Sequence, residues 1–564
     1  MRKSILTLLL LIVMPPFSPV TKAQAETAIA IEGLDPLMLI QGKEAQGDLK
    51  ISVTRGRFQY LFANPENKAL FEKEPERYEI QLGGSCARMG PPVRGNPDLY
   101  TVYRERIYIF GSTNCMKVFE EAPEKFVKPA SGAAGPPPDS GALKESGAPV
   151  EKAAAASVVA GKSESLSGEA SPSPSADWSQ WGGPHRNFKS DVKGLPPAWP
   201  ESGPRRLWSR ELGEGYSAIV AAGGKLYTMY RKGEQDVVIC MEAGTGRTVW
   251  EFAYAAPFSK DYDMANGPGP HATPLVSGDK VFAVGATGKL HCLNRESGKL
   301  LWAHDLMGEF KGNLRVNGYS CSPIAYRNTV IMMVGGPGAS VIAFNQADGS
   351  VAWKKHDFRN STCSPLIINV AGQDQLVAFM FGEIVGLDPA TGDLLWTHPH
   401  ATDYGLNTST PVWGDDNLLF VSSGYNGGSR VIRLVREGGR TRVEEVWANR
   451  LMRVHFGTAI RVGDYVYGSS GDFGPAPLTA VNVKSGQVAW RDRSLARASF
   501  IYADGRFILL DEDGHLALAT PTPEGLKVQS KVELLANNSW TVPTLSGTRL
   551  YARDRKTVLA LDLK

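Results

Sequence analysis

The feature that most constrains the fold is a short unit in which a glycine precedes a tryptophan by four residues. It occurs five times in the 564-residue chain, first as Thr245-Gly-Arg-Thr-Val-Trp250. The other copies end at Trp302, Trp353, Trp396 and Trp490. A glycine with positive φ makes a tight turn, and the tryptophan on the following strand has a large apolar surface to bury. One unit cannot bury its own tryptophan, so the pattern predicts packing against a neighbouring sheet.

The spacing of these tryptophans predicts an array of small β sheets. Together with Trp447 they lie 43 to 52 residues apart, which is typical of four-stranded propeller blades. Runs such as Lys280–Val284 and Asn417–Val421 are short, apolar and bounded by turn residues. These properties favour strands over helices. We therefore expect a mainly β protein.

The whole repeat resembles that of a known family. Its order is Ser/Thr-Pro, a Gly-Asp turn, an apolar strand, Leu-Asn or Leu-Asp, and then the Gly-to-Trp unit. This order is similar to the pyrroloquinoline-quinone-type, or quinoprotein-like, propeller repeat. The resemblance covers residues 177–564 and implies an eight-bladed β-propeller, with seven blades as the alternative. Strand Leu207–Leu212 has no blade before it, so we expect it to complete the last blade and close the ring.

Residues 26–128 are predicted to form a separate α+β domain with an internal duplication. Each half reads as a strand, a turn and a short helix that proline ends, and we expect the aromatic residues of the two halves to pack against each other. The copies are Arg55–Phe62 followed by Phe71 and Pro75, and Arg104–Phe110 followed by Phe119 and Pro123. The pattern resembles the YHS family of small modules, which occur in several metal-handling proteins.

Two cysteines and two methionines of this domain are candidate metal ligands, namely Cys86, Met89, Cys115 and Met116. Thiolate and thioether ligands select Cu(I) over harder ions. Two other interpretations stay open at this stage. The cysteines could form a disulfide, which an oxidising compartment favours, or remain two buried thiols.

The chain carries signals for export. Residues 1–25 combine a basic start, an apolar run and Ala23-Gln-Ala25, which predicts a signal peptide and a periplasmic or secreted protein. Without them the formal net charge falls from +3 to zero. A neutral chain gives no electrostatic reason to bind nucleic acid, so we expect no nucleic-acid partner. The apolar run is too short to span a bilayer, so we expect no transmembrane segment. Residues 129–176, rich in Ala, Gly, Pro and Ser, predict a disordered tether between two semi-independent domains.

In a propeller of this type, the starts of the innermost strands surround the mouth of the central channel. Aligning the repeats places six ligand-binding candidates there: Tyr216, His271, Tyr319, Asn407, His455 and Trp540. Such a set suits a small polar ligand or a peptide. The alternative for the Ser/Thr residues near them is that they satisfy backbone groups between strands. The preceding segment Trp178–His185 resembles the entry of exported propellers and is expected to wrap the rim.

The repeat indicates the fold and not the chemistry, because quinoprotein dehydrogenases and the non-enzymatic propeller of outer-membrane protein assembly both use it. Resemblance to a dehydrogenase would imply quinone held by a disulfide of adjacent cysteines, Ca²⁺ and an Asp base. The sequence has no adjacent cysteines, and we assign no catalytic residue. We predict an exported, monomeric binding or scaffold protein with a protein or small-molecule partner. The alternatives are a pyrroloquinoline-quinone-dependent oxidoreductase and a copper-handling protein.

Overall fold

The computed structural model describes residues 27–127 and 177–564, apart from the single residues 266, 473, 475 and 537. The predicted signal peptide and linker lie outside these ranges. The described part of the chain is mainly β, as the sequence predicts. Within it, no helix is long and apolar enough to cross a membrane.

The small domain consists of two strand-and-helix halves. Its elements are β1 Ala28–Ile29, α1 Pro36–Ile40, β2 Asp48–Arg55, β3 Phe58–Phe62, α2 Pro65–Lys73, α3 Pro75–Tyr78, β4 Asn96–Tyr103, β5 Arg106–Phe110 and α4 Thr113–Glu121. Both longer helices begin in the same way, because Asn64 caps α2 and Ser112 caps α4 by accepting a backbone N–H through the side chain. Such caps fix where each helix starts. The predicted duplication is confirmed at the level of these elements.

The aromatic residues of the two halves do not pack against each other as predicted. Phe71 and Phe119 belong to separate clusters of buried side chains. Strand β5 explains this, because successive side chains of a strand point to opposite faces. Ile107 and Ile109 join the Phe71 cluster, whereas the alternate residues Tyr108 and Phe110 join the Phe119 cluster.

The second domain contains eight sheets in the described residues, each with four antiparallel strands, and a fifth, parallel strand extends one of them. Two strands come first, β6 Lys189–Ser190 and β7 Arg205–Glu211. Sheet 1 has β8 Val220–Ala222, β9 Lys225–Lys232, β10 Gln235–Glu242 and β11 Thr248–Ala255, and sheet 2 has β12 Leu275–Ser277, β13 Lys280–Val284, β14 Lys289–Asn294 and β15 Leu300–Asp305. Helix α5 Leu306–Phe310 follows. Sheet 3 has β16 Ile324–Tyr326, β17 Thr329–Gly336, β18 Ala339–Asn345 and β19 Val351–Lys355, and sheet 4 has β20 Leu366–Val370, β21 Gln373–Phe379, β22 Glu383–Leu387 and β23 Leu394–Pro399.

The other four sheets continue in chain order. Sheet 5 has β24 Val412–Trp413, β25 Leu418–Ser423, β26 Gly428–Glu437 and β27 Arg440–Asn449, and sheet 6 has β28 Val454–Val462, β29 Tyr465–Ser470, β30 Leu478–Asn482 and β31 Val488–Asp492. Sheet 7 has β32 Ser499–Ala503, β33 Arg506–Leu510, β34 His515–Thr522 and β35 Gly525–Glu533, and sheet 8 has β36 Thr544–Ser546, β37 Arg549–Arg553 and β38 Thr557–Asp562. Strand β7 pairs with β38 and completes sheet 8. The predicted closing strand is thus confirmed.

Hydrogen bonds near the inner strands join each sheet to the next. Thr273 Oγ1 accepts from the backbone of Ala218, and Ser322 Oγ accepts from that of Thr273. Analogous hydroxyl bonds follow from sheet 3 to sheet 8. The last one runs from Thr541 Oγ1 to the carbonyl of Tyr216, which returns to sheet 1. The Ser and Thr residues of the repeat therefore satisfy backbone groups between sheets, as the alternative interpretation states.

Each repeat glycine supports the tryptophan of the sheet before it. A Cβ on Gly349 would lie 2.7 Å from Trp302, and one on Gly298 would lie 2.6 Å from Trp250. Both glycines have positive φ, as predicted. The Trp302 indole also donates to the carbonyl of Gln346 at 3.2 Å. The unit thus links neighbouring sheets through packing and a hydrogen bond.

The segment that was expected to wrap the rim instead crosses the channel. Trp178 pairs with Ala221 of sheet 1 through two backbone hydrogen bonds, and the Trp181 indole donates to Thr410 beside sheet 5 at 2.9 Å. Strand β6 then runs parallel to β32 of sheet 7. Sheets 1 and 5 lie on opposite sides of a ring of eight, so this segment contacts both sides of the channel. We call residues 178–188 the plug.

A buried arginine anchors the plug. Arg186 donates from Nε to the carbonyl of Pro365 at 2.8 Å and from Nη1 to that of Pro323 at 3.1 Å. Burial lowers the pKa of Arg186 to about 9. Carbonyl oxygens of sheets 3 and 4 thus satisfy a cation that water does not reach.

Candidate functional site

A cavity of about 240 Å³ lies at the mouth of the channel. Trp181 of the plug lines it, so the cavity ends on the plug. The other aromatic and histidine residues in its wall are Tyr216, Tyr262, His271, Tyr425, His455, Phe456 and Trp540. Hydroxyls of the inner strands, among them Ser322, Ser364 and Thr541, complete the lining. The cavity thus combines aromatic walls with polar hydroxyl groups.

Five of these rings form a continuous arc around the mouth. Tyr216 lies between His271 and Trp540, with ring centroids 5.6 Å and 5.4 Å away. Phe456 stacks on Trp540 at 5.0 Å and on His455 at 3.8 Å. We call His271, Tyr216, Trp540, Phe456 and His455 the aromatic arc. Stacked rings hold one another in place, so the arc is a preformed surface.

Irregular backbone presents the arc to the cavity. Tyr216, His271 and Trp540 lie in the loops that enter sheets 1, 2 and 8. His455 lies on β28, whose pairing with β29 breaks between Val454 and Ala459. Such a bulge re-aims the side chains of the extra residues.

The two histidines of the arc have ring nitrogens with no protein partner. Nε2 of His271 and Nδ1 of His455 are buried without a hydrogen bond. Burial lowers the pKa of His271 to about 4 and is the main cause that lowers the pKa of His455 to about 3. Both rings are therefore neutral at pH 7. A neutral imidazole offers one donor and one acceptor, so the arc combines stacking with neutral hydrogen bonding.

Two of the six mouth candidates lie away from the cavity. The Tyr319 hydroxyl donates to the carbonyl of Met333 at 2.6 Å, and the Asn407 amide donates to that of Met380 at 2.6 Å. The structure thus places both side chains inside the β framework, with their polar groups already bonded. Tyr216, His271, His455 and Trp540 do line the mouth.

The six candidates chosen by aligning the repeats do not include four aromatic residues of the cavity, namely Trp181, Tyr262, Tyr425 and Phe456. Tyr262 lies in the long connection between β11 and β12, whereas Tyr425 lies in the short turn between β25 and β26. The alignment considered only the starts of the innermost strands, and neither residue lies there.

The four metal candidates do not form one cluster. Cys86 and Cys115 are buried thiols that interact with each other, and Met116 packs against the cluster that contains them. Met89 is 56% exposed. Ser112 lowers the pKa of Cys115, followed by Arg88 and Cys86. In the described ranges, no group of three or more His, Cys, Asp or Glu residues is arranged to hold a metal.

The propeller is similar to proteins of known family. A family model described as outer membrane protein assembly factor BamB matches residues 234–492. BamB of Yersinia pestis is 26% identical over 50% of this chain and 72% of its own length. The chain is a β-propeller protein of the pyrroloquinoline-quinone repeat type. The predicted family resemblance of the propeller is confirmed.

Quinoprotein dehydrogenases are similar to this propeller as well. The quinoprotein alcohol dehydrogenase PedH of Pseudomonas putida is 22% identical over 44% of this chain, but the match spans 41% of its own length. The crystal structure of a quinohemoprotein alcohol dehydrogenase from Comamonas testosteroni superposes with a TM-score of 0.51. It has 12% identity and covers 70% of this chain and 81% of that one. This likeness shows the fold alone.

The residues of the mouth do not fit a quinone held by Ca²⁺ and a disulfide. Asp263 is the one carboxylate in the described lining, and it already accepts from Ala265 N and the Asn317 amide. Cys321 and Cys363 do not line the cavity, and each thiol donates to a backbone carbonyl. The described lining therefore offers neither an acidic ligand set for Ca²⁺ nor a disulfide to stack on a quinone.

Proposed function

We propose that the protein is an exported, non-enzymatic binding protein, in which eight sheets form the blades of one closed propeller and the mouth holds a partner. The partner is a segment of another protein or a small polar ligand. The observation that carries this proposal is the aromatic arc, with two buried histidine nitrogens that lack partners. The similarity of residues 234–492 to BamB favours a protein partner and a periplasmic location. The small YHS-like module supplies a second contact beside the mouth.

Site-specific photo-crosslinking in the intact cell envelope tests this proposal. A photoreactive residue replaces Phe456, which is 37% exposed at the mouth, or Leu394, which is 45% exposed on the outer strand β23. We expect a discrete adduct from position 456 only. Trp540→Ala should remove the adduct, because Trp540 belongs to the aromatic arc that is proposed to hold the partner. Equal adducts from both positions, or none from position 456, would refute binding at the mouth.

The oxidoreductase alternative is tested on the purified protein. Pyrroloquinoline quinone and Ca²⁺ are added, and the absorbance spectrum and dye-linked oxidation of alcohols and sugars are followed. We expect no saturable spectral change. Saturable binding together with turnover would replace the binding proposal with an enzymatic one.

Copper handling is a second candidate, which the contact between Cys86 and Cys115 favours. The two thiols are neighbours, and Ser112 and Arg88 stabilise the thiolate of Cys115. Two thiolates are suitable ligands for Cu(I). Replacing both cysteines by serine should abolish Cu(I) binding, whereas Cys240→Ser in the propeller serves as the control. Unchanged affinity in the double variant would exclude this site.

A further inference from the structure

A second cavity lies between the small domain and the propeller. Its volume is about 610 Å³, within the range of roughly 300–1,000 Å³ that small-molecule sites have. Arg57 and Arg94 line it from the small domain, and Arg453 and Asp472 line it from the propeller. We call this cavity the interdomain cleft. Tyr425 lines both the cleft and the mouth cavity, so the two cavities are neighbours.

Ion pairs hold the two walls of the cleft together. Arg453 bonds to Asp98 of the small domain and lies 3.8 Å from Asp472. Arg493 donates to Glu32 at 2.6 Å. The domains therefore dock against each other, in contrast to the semi-independent domains expected from the tether. Arg453 and Arg493 of the propeller therefore already have carboxylate partners.

The two arginines of the small domain differ in this respect. In the part of the chain that the structure describes, neither Arg57 nor Arg94 forms a salt bridge with a carboxylate. Arg57 is held in place, since its Nη2 donates to the carbonyls of Gly84 and Gly95 at 2.7 and 2.9 Å. Burial, followed by the charge of Arg94, lowers the pKa of Arg57. Glu32 and Asp98 also line the cleft, but each is paired with an arginine of the propeller. Two neighbouring arginines without a carboxylate partner form a receptive place for an anion.

The opposite wall has an acceptor without a partner. Oδ1 of Asp472 is buried and has no hydrogen bond, and the whole residue is 9% exposed. A buried oxygen in this state is costly unless a donor reaches it. Because Asp472 lines the same cleft, a ligand there could supply that donor.

We propose that the interdomain cleft binds a ligand with both a carboxylate, held by Arg57 and Arg94, and an N–H group that donates to Asp472. Free amino acids and the carboxyl termini of peptides share this chemistry. Guanidinium groups bind carboxylates through paired, charge-assisted hydrogen bonds. The proposal is independent of the aromatic arc and goes beyond the function proposed for the mouth.

Calorimetric titration of the full mature protein tests the proposal with four probes. The probes are alanine, trialanine, trialanine amide and inorganic phosphate. We expect saturable binding of alanine, trialanine or both, with alanine alone indicating a free amino acid and trialanine alone indicating a peptide end. Trialanine amide and phosphate should bind at least about tenfold more weakly, because each lacks one of the two groups. Equal binding of trialanine and its amide, binding of phosphate alone, or no binding at all would overturn the proposal.

A charge-removing variant separates the arginine role from a general effect of charge. Arg94 is exposed and is the cleaner position, because Arg57 also supports the backbone. Arg94→Gln should weaken binding by about tenfold or more. Arg104→Gln, an exposed arginine of the same domain outside the cleft, should leave it unchanged. An Arg94→Gln protein that binds like the unaltered one would overturn the proposal.

Discussion

Replacing Gly349 by alanine should destabilise the propeller more than the same change at Gly338, another glycine of sheet 3. Gly349 has a φ of +77°, which strains an alanine by about 1–2 kcal/mol. Its new Cβ would also lie 2.7 Å from Cδ2 and 2.9 Å from Cε3 of Trp302. No real Cβ contact is that short, so the indole must move. Forcing an extra methyl group into a packed core costs about 1–3 kcal/mol.

Gly338 isolates the strain from the contact. Its φ is +64°, but a Cβ there meets nothing within 4 Å. Gly338→Ala should therefore cost only the backbone strain of about 1–2 kcal/mol. The excess at Gly349 should be about 1–3 kcal/mol.

Equilibrium unfolding in urea measures both changes as shifts of the transition midpoint at constant slope. Trp302→Ala adds a second check, because the excess cost of Gly349→Ala should disappear when the indole is absent. Equal losses for Gly349→Ala and Gly338→Ala would refute the claim that the repeat glycine is required by the tryptophan. An excess that persists without the indole would refute it as well.

Three further predictions follow from buried charges and thiols. Asp98→Asn should weaken domain docking by about 3 kcal/mol, because it leaves the buried Arg453 without its main partner. As a control, Glu44→Gln removes an exposed ion pair and should change the docking free energy by less than about 1 kcal/mol. Small-angle scattering would detect undocking of the two domains. Between about pH 3 and 6.5 the His455 imidazole is neutral in the folded protein but protonated in the unfolded chain. The free energy of unfolding should therefore be highest above pH 6.5 and should decrease as the pH falls toward 3. The difference in unfolding free energy between the unaltered protein and His455→Gln, measured across that range, checks the sign. Cys115 should be alkylated faster at pH 7 than the propeller cysteines, whose pKa values are raised by burial, and mass spectrometry after timed alkylation would show the order.

The repeat could be predicted from the sequence because its contacts are local and recur. A glycine turn, the strand after it and the tryptophan partner lie within one unit or the next, so five copies specify the same joint five times. The closing strand β7 followed from counting, since the last sheet lacked a strand and the first strand lacked a sheet. These inferences needed no information about distant residues.

The positions of the plug and of the small domain could not be predicted in the same way. Arg186 is held by carbonyls of Pro323 and Pro365, which lie more than a hundred residues away and carry no side-chain signal. Tyr319 and Asn407 occupy repeat positions close to the mouth, but their polar groups bond to the backbone of neighbouring strands. Aligning the repeats predicts where along the inner strand a residue lies. Local backbone geometry decides whether its side chain faces the channel.

The plug has a consequence for how ligands reach the mouth. Trp181 of the plug lines the cavity and is held by Thr410, so we expect a ligand to enter and leave on the side away from the plug. The small domain docks beside that opening, and Tyr425 separates the mouth cavity from the interdomain cleft. A long partner, such as an extended peptide, could therefore reach both cavities, whereas a small ligand occupies one. Binding that requires both Trp540 and Arg94 would indicate a peptide that spans the two cavities, and binding that requires only one of them would assign the ligand to the mouth or to the cleft.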